Sequence, residues 1–164
     1  MDFAPLRSLP KGAVTLIYEV ARHVLRRPVV GICAAVRTPE GAWVLIRRAD
    51  TGTWCLPGGT LEWGETLTEG LKRELEEEAG IVDAKLVRVV GIFSRPKRDP
   101  RFHAATIVVE CEAARPTKAP VNPLEIREVG VFQTADVPRP LAMGMDDIFE
   151  QVLASTPHGV AVLE

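Results

Sequence analysis

The stretch GTLEWGETLTEGLKRELEEEAGI, Gly59 to Ile81, decides the fold. Thr66 or Thr68 can begin a helix in which Leu67, Leu71, Leu75 and Ala79 recur every four residues as one apolar stripe. Gly80 then ends it, as glycine commonly does where a helix turns left-handed. Glu74, Glu77 and Glu78 stand at i, i+3 and i+4, within an arc of roughly 100°. Three carboxylates so close repel one another, and a divalent cation between them removes the conflict. Hard oxygen donors with no His or Cys nearby in the sequence favour Mg2+, or Mn2+ in its place, over Zn2+. Mg2+ held by a few carboxylates keeps several waters and takes substrate phosphates, so the pattern points to a phosphate-bearing substrate.

A run of glutamates is most often a solvated helix face. Here Glu78 falls angularly between Glu74 and Leu71, so the acidic face borders the leucine stripe instead of opposing it. Upstream, Trp54-Cys55-Leu56 reads as a short strand broken by Pro57-Gly58-Gly59, whose paired glycines allow close backbone approach. Written as a pattern, the stretch is G-x5-E-x7-R-E-U-x-E-E-x-G-U, with U aliphatic. It resembles the signature of the Nudix hydrolases at every specified position. The resemblance implies a metal shell made by Glu74, Glu77 and Glu78 with the carbonyl of Gly58 or Gly59. It also implies that Arg73, within reach of Glu77 at i+4, holds the carboxylates in position, and that Glu65 braces the loop.

Length and composition suit one domain with a sizeable core: 164 residues, 46% of them hydrophobic. The 20 basic and 22 acidic residues give no global field toward nucleic acid or an anionic membrane. Neither partner is therefore expected, although capped RNA ends carry the same pyrophosphate linkage. The apolar run Val29 to Val36 is too short to span a bilayer, and Glu19 and Arg22 interrupt any secretory signal. Cys33, Cys55 and Cys111 are odd in number and well separated, and read as buried reduced thiols of a cytoplasmic protein.

Around the central stretch, Val14, Ile17, Val20, Ala21, Val24 and Leu25 give an N-terminal amphipathic helix within an extension of residues 1–27. This helix either completes the fold or builds a homodimer interface. Residues 28–155 form the expected Nudix domain, and residues 156–164 a tail without assignment. Strands are expected over Pro28–Val36, Trp43–Arg47, Ala84–Phe93, Ala104–Glu112 and Glu128–Thr134. A turn lies at Thr38–Gly41, a proline-rich loop over residues 113–124 and a closing helix over Met145–Ala154. The fold class is α/β, and the resemblance implies the Nudix-type α/β/α sandwich with a mixed sheet.

By the same resemblance, the chain is a pyrophosphohydrolase acting on a nucleoside diphosphate linked to another moiety, with water attacking phosphorus. Glu74 and Glu77 in the helix, with Arg73, make the catalytic set. Glu74, Glu110, Glu112, Glu125 and Glu128 are candidates for the general base, and Glu125 is the preferred outer one because it precedes a late strand. Ser94-Arg95-Pro96-Lys97-Arg98-Asp99-Pro100-Arg101-Phe102-His103 is similar to the R-D-P-R-x-H stretch of some ADP-ribose pyrophosphatases, with Phe102 where glycine is frequent. Guanidinium forks suit phosphate oxygens, so Arg98 and Arg101 are expected to clamp a phosphate or a second ribose. Arg47 or its neighbour Arg48 faces phosphate, Arg47 being the choice; His103 is a candidate to stack or bond near substrate, although a lone His at a strand start is more often structural. Trp63 packs on the platform or covers a base, Trp43 belongs to the core, and His23 and His158 carry no chemistry. ADP-ribose, cleaved to AMP and ribose 5-phosphate, is the expected substrate. A nucleoside triphosphate pyrophosphatase and a non-catalytic nucleotide sensor are the alternatives, the latter disfavoured because the helix keeps all three glutamates.

Overall fold

The computed structural model describes residues 11–25, 27–116, 118–154 and 161–163; His158 and the first ten residues of the extension lie outside them. Strand β1 (Val29–Arg37) is central. It runs parallel to β6 (Ala104–Glu112) along its whole length, from Val29 opposite Ala104 to Arg37 opposite Glu112. A strand covered on both faces reads as a continuous apolar run, and Ile32 to Val36 are indeed all buried.

The other edge of β1 is divided. After the Thr38–Gly41 turn, β2 (Trp43–Arg48) pairs only with its end, at Val36 and Arg37. Its start, Gly31 to Cys33, pairs antiparallel with β4 (Gly58–Thr60). The paired segments Gly31–Cys33 and Gly58–Thr60 both line the site. Strands β3 (Trp54–Cys55) and β7 (Ile126–Phe132) flank β2, and β5 (Lys85–Phe93) runs antiparallel to β6. The result is a mixed eight-stranded sheet in an α/β fold, as expected.

Helix α2 (Leu67–Ala79) packs on β1, β2, β4 and β7. Its start is fixed at Thr66: the Thr66 hydroxyl accepts the Glu69 amide at 3.3 Å, and the Glu69 carboxylate accepts the Thr66 amide at 2.8 Å. Gly80, with φ 64°, ends it in the left-handed region. Leu71, Leu75 and Ala79 are fully buried, with Leu67 partly so. Helix α3 (Asp146–Ala154) packs on β5, and its Phe149 meets the buried Trp43 edge-to-face at 5.3 Å between centroids.

Two expectations are corrected. Gly58–Thr60 is a strand and not only a break, because glycine lets it lie against β1 where a side chain would not fit. A Cβ on Gly58 would overlap the Ile32 carbonyl oxygen. Within the tail, Ala161–Leu163 forms β8, parallel to β5 at Gly91–Phe93; three residues are too few for a periodicity to show. Along helix α1 (Lys11–Leu25), Val14, Leu16, Ile17, Tyr18 and Val20 are exposed. No helix among the described residues is long and apolar enough to cross a membrane.

Thr66→Ala removes the reciprocal cap and is expected to lower unfolding free energy by about 1 kcal/mol, measured by urea denaturation. Gly80→Ala should cost more. Its φ is unfavourable for a side chain, and a Cβ there would overlap the Lys118 carbonyl oxygen. Equal losses would show that Gly80 acts as no more than a helix stop.

Candidate active site

A cavity of about 340 Å³ opens where β1 parts from β2. Its floor is Gly31 to Cys33 of β1, together with Leu56 and Gly58 to Thr60. One wall carries Glu74, Glu77 and Glu78 of α2, faced by Glu125 from the turn before β7. The lining also includes Arg48, Arg95, Arg98 and Arg101, with Asp99, Phe102, Met143 and Met145. Anionic and cationic groups thus share a single cavity, and Arg48 is near enough to Glu78 to oppose the rise of its pKa.

The acidic wall is built from the helix register. Because Leu71 and Leu75 are drawn into the core, Glu78 beside them is drawn in too, to 7% exposure. Its carboxylate accepts the Gly58 amide at 2.8 Å. Burial pushes its pKa up to about 8, with Glu74 and Glu125 adding repulsion and the Gly58 bond and Arg48 opposing them. Burial raises Glu74 as well, against the pull of Arg73. Arg73 forms a fork with Glu65 (2.7 and 3.1 Å), reaches Glu74 at 2.9 Å and stands 3.6 Å from Glu77. Its firmest partner is therefore Glu65, whose pKa that fork lowers to about 2. Glu65 also accepts the Glu62 amide at 2.9 Å, so loop and helix are joined through one guanidinium.

These donors fit a hard divalent cation. They are carboxylates whose charge is left poorly compensated by burial, and Gly59 leaves the space that Glu74 occupies: a Cβ on Gly59 would overlap its carboxylate. Among the described residues, no three His, Cys, Asp or Glu side chains already stand together as a ligand set. Backbone oxygens, water and substrate phosphates would complete the shell, the ordinary condition for Mg2+. Cys33, distant in sequence, does line the cavity, but burial raises its thiol well above the usual value and keeps it protonated.

The remaining candidates separate. Of the outer carboxylates only Glu125 reaches the cavity; Glu110 pairs with Arg88 at 2.6 Å, and Glu128 stands 3.4 Å from Arg47. Arg47 also donates to the Gly52 carbonyl at 2.9 Å and does not line the cavity. Its neighbour Arg48 does, held by two bonds to Asp50 at 2.9 and 2.8 Å. Successive strand residues face opposite ways, and the sequence alone does not say which of the two faces inward. His103 sits within 2.8 Å of the Ser94 carbonyl, closing the ends of its loop, and is absent from the cavity lining. Trp63 is fully exposed and neither packs on the platform nor reaches the cavity. Arg98 and Arg101 do line the cavity, each already paired: Arg98 with Asp147 at 2.7 Å, Arg101 with Asp99 at 2.7 Å. Asp147, Met143 and Met145 escaped the sequence reading. Acids at a helix start or in a turn, and methionines anywhere, carry no distinctive pattern.

A family model described as the NUDIX domain matches residues 25–152. The ADP-ribose pyrophosphatase of Methanocaldococcus jannaschii is 43% identical over 68 residues, 40% of each chain. The human 8-oxo-dGDP phosphatase NUDT18 is 43% identical over 61 residues, 35% of this chain and 19% of that one. The matched stretches thus span two-fifths or less of these relatives' lengths. Among solved structures, an ADP-ribose pyrophosphatase from Streptococcus suis superposes with TM-score 0.65 at 26% identity, covering 84% of this chain and 98% of that one.

Substitutions at the paired glycines should part stability from ligation. Gly58→Ala meets rigid backbone and is expected to lower the thermal midpoint strongly. Gly59→Ala meets only the movable end of Glu74, and should melt near the parent temperature while binding Mn2+ more weakly in calorimetric titration. Loss of stability without loss of Mn2+ affinity at Gly59 would contradict the assigned role of Glu74.

Proposed function

The chain belongs to the NUDIX family, and from that premise we propose that it hydrolyses, with Mg2+, the pyrophosphate bond of a nucleoside diphosphate linked to another moiety. ADP-ribose, yielding AMP and ribose 5-phosphate, is the proposed substrate. The observation that carries this reading is the mixed lining of one cavity. Carboxylates suited to a phosphate-binding cation and four arginines line it together with an aromatic and thioether surface. A diphosphate flanked by two sugar groups has the matching sequence of features. The similarity to the M. jannaschii pyrophosphatase supports the same choice.

Glu74, Glu77 and Glu78 would hold Mg2+ with a carbonyl of Gly58 or Gly59; when bound, the ion supplies charge neutralisation at phosphoryl oxygens and acidifies water. Arg73 keeps Glu74 oriented and is itself aimed by Glu65. The Glu125 carboxylate accepts the proton of the attacking water. That water adds to one phosphorus, and the bridging oxygen leaves with the other phosphate. The arginine side binds the remote part of the substrate and fixes which phosphorus is presented. A second reading, a nucleotide-cleansing activity on triphosphates or oxidised nucleotides, draws support from the similarity to NUDT18.

Incubation with Mg2+ and a panel of ADP-ribose, other nucleotide sugars, and plain and oxidised nucleoside triphosphates separates the two, with products resolved by chromatography. AMP and ribose 5-phosphate, absent with Glu77→Gln, are expected. Pyrophosphate from triphosphates alone would move the assignment to the second reading, and no turnover on any of them would favour a nucleotide sensor. Glu125→Gln is expected to lower kcat roughly a hundredfold or more, as for loss of a general base. Near-normal turnover in Glu125→Gln, beside an inactive Glu74→Gln, would place the base within α2.

A further inference from the structure

Arg98 stands on the arginine side of the cavity, yet its two terminal nitrogens are already engaged. Nη1 donates to Asp147 Oδ1 and to the Gly144 carbonyl, and Nη2 to Asp147 Oδ2, each at 2.7 Å. The Arg98 side chain is 11% exposed, and its Nε is buried without an acceptor. A guanidinium so enclosed and so committed is fitted to hold protein parts together and poorly fitted to meet a substrate. The parts it joins lie 49 residues apart: the Ser94–His103 loop and the start of α3. Asp147 also takes Arg95 Nη2 at 3.3 Å, so one carboxylate anchors two of the four cavity arginines. Arg95 differs from Arg98 in being 58% exposed, with that single longer contact.

The Gly144 bond extends the link to the apolar surface. Gly144 follows Met143, which adopts φ 53°, uncommon for a residue with a side chain. Met143 lines the cavity, and its sulfur lies 4.0 Å from Arg101. A backbone held in a sparsely populated region needs surrounding contacts to keep it there, and the Arg98 bond to the next carbonyl is one of them.

We propose that Asp147 is a positioning residue for substrate recognition: by gripping Arg98 with both carboxylate oxygens, it locks the Ser94–His103 loop and the Met143 turn into one preformed wall of the cavity. The use of that wall for a nucleotide rests on the function proposed above, whereas the lock itself does not. Arg98 accordingly acts through the loop it holds, and Arg95 and Arg101, each more than half exposed, are left to face substrate anions.

Three variants test this: Asp147→Asn, Arg98→Lys, which keeps the charge but cannot form the fork, and Glu150→Gln on the exposed side of α3 as control. Without any ligand, trypsin should cut the folded Asp147→Asn and Arg98→Lys proteins after Arg101 roughly tenfold faster than the parent. That is the change expected for a population shift on losing a charge-assisted pair. Their thermal midpoints should stay near the parent's, and the control should match the parent throughout. With Mg2+ and ADP-ribose, both variants should raise KM roughly tenfold with kcat within about twofold, the reverse of the pattern for a group touching the reacting atoms. Cleavage at the parent rate in both variants overturns the lock. Faster cleavage with unchanged KM overturns its role in recognition. If the parent turns over no ADP-ribose, the functional reading fails, and the trypsin comparison alone decides the positioning claim.

Discussion

The hydrogen bond from the Gly58 amide to the Glu78 carboxylate joins the two pieces on which the site depends. One piece is a strand that lies against β1 because glycine fills its closest point. The other is a helix whose leucine stripe forces a neighbouring glutamate inward. A lone carboxylate buried among other carboxylates is unfavourable, and one amide offsets only part of that cost. The folded chain thus holds uncompensated acidity in place, which is the electrostatic condition for gathering a small cation. Capping at Thr66 and termination at Gly80 matter here because they set the register of Glu74, Glu77 and Glu78 relative to the sheet.

The cationic side is organised on a different principle. Arg48 is paired with Asp50, Arg98 with Asp147 and Arg101 with Asp99, each through a carboxylate within 2.8 Å. Pairing keeps the guanidiniums from repelling one another and limits their rotamers before any substrate arrives. It also divides labour among residues that look equivalent in a list: those with exposed donors can meet a ligand, and those enclosed by acid and carbonyl cannot.

What the sequence disclosed follows from the range over which each signal acts. The helix, its cap and its acidic face are written within fifteen residues of α2, so the stripe of Leu71, Leu75 and Ala79 and the inward tilt of Glu78 were readable. Glu125 was reachable because it immediately precedes a strand. Arg48 in place of Arg47 was not, since period-two alternation gives two faces without saying which is inside. His103 and Trp63 were misplaced for a related reason: proximity in sequence to functional segments says nothing about where a side chain points. The Arg98–Asp147 pair spans the distance from the β5–β6 loop to α3, and only the fold brings its members together. Similarly, β8 exists through pairing with β5, not through any preference of three apolar residues.

The acidic and the exposed arginine residues of the cavity are proposed to serve different parts of one substrate. A crystal structure with Mg2+ and a non-hydrolysable ADP-ribose analogue tests it directly. The account predicts the ion and the diphosphate beside Glu74, Glu77 and Glu78, with a terminal sugar or base against Arg95, Arg101 and Met143. An analogue bound away from the α2 carboxylates, or contacting only one wall, would contradict it.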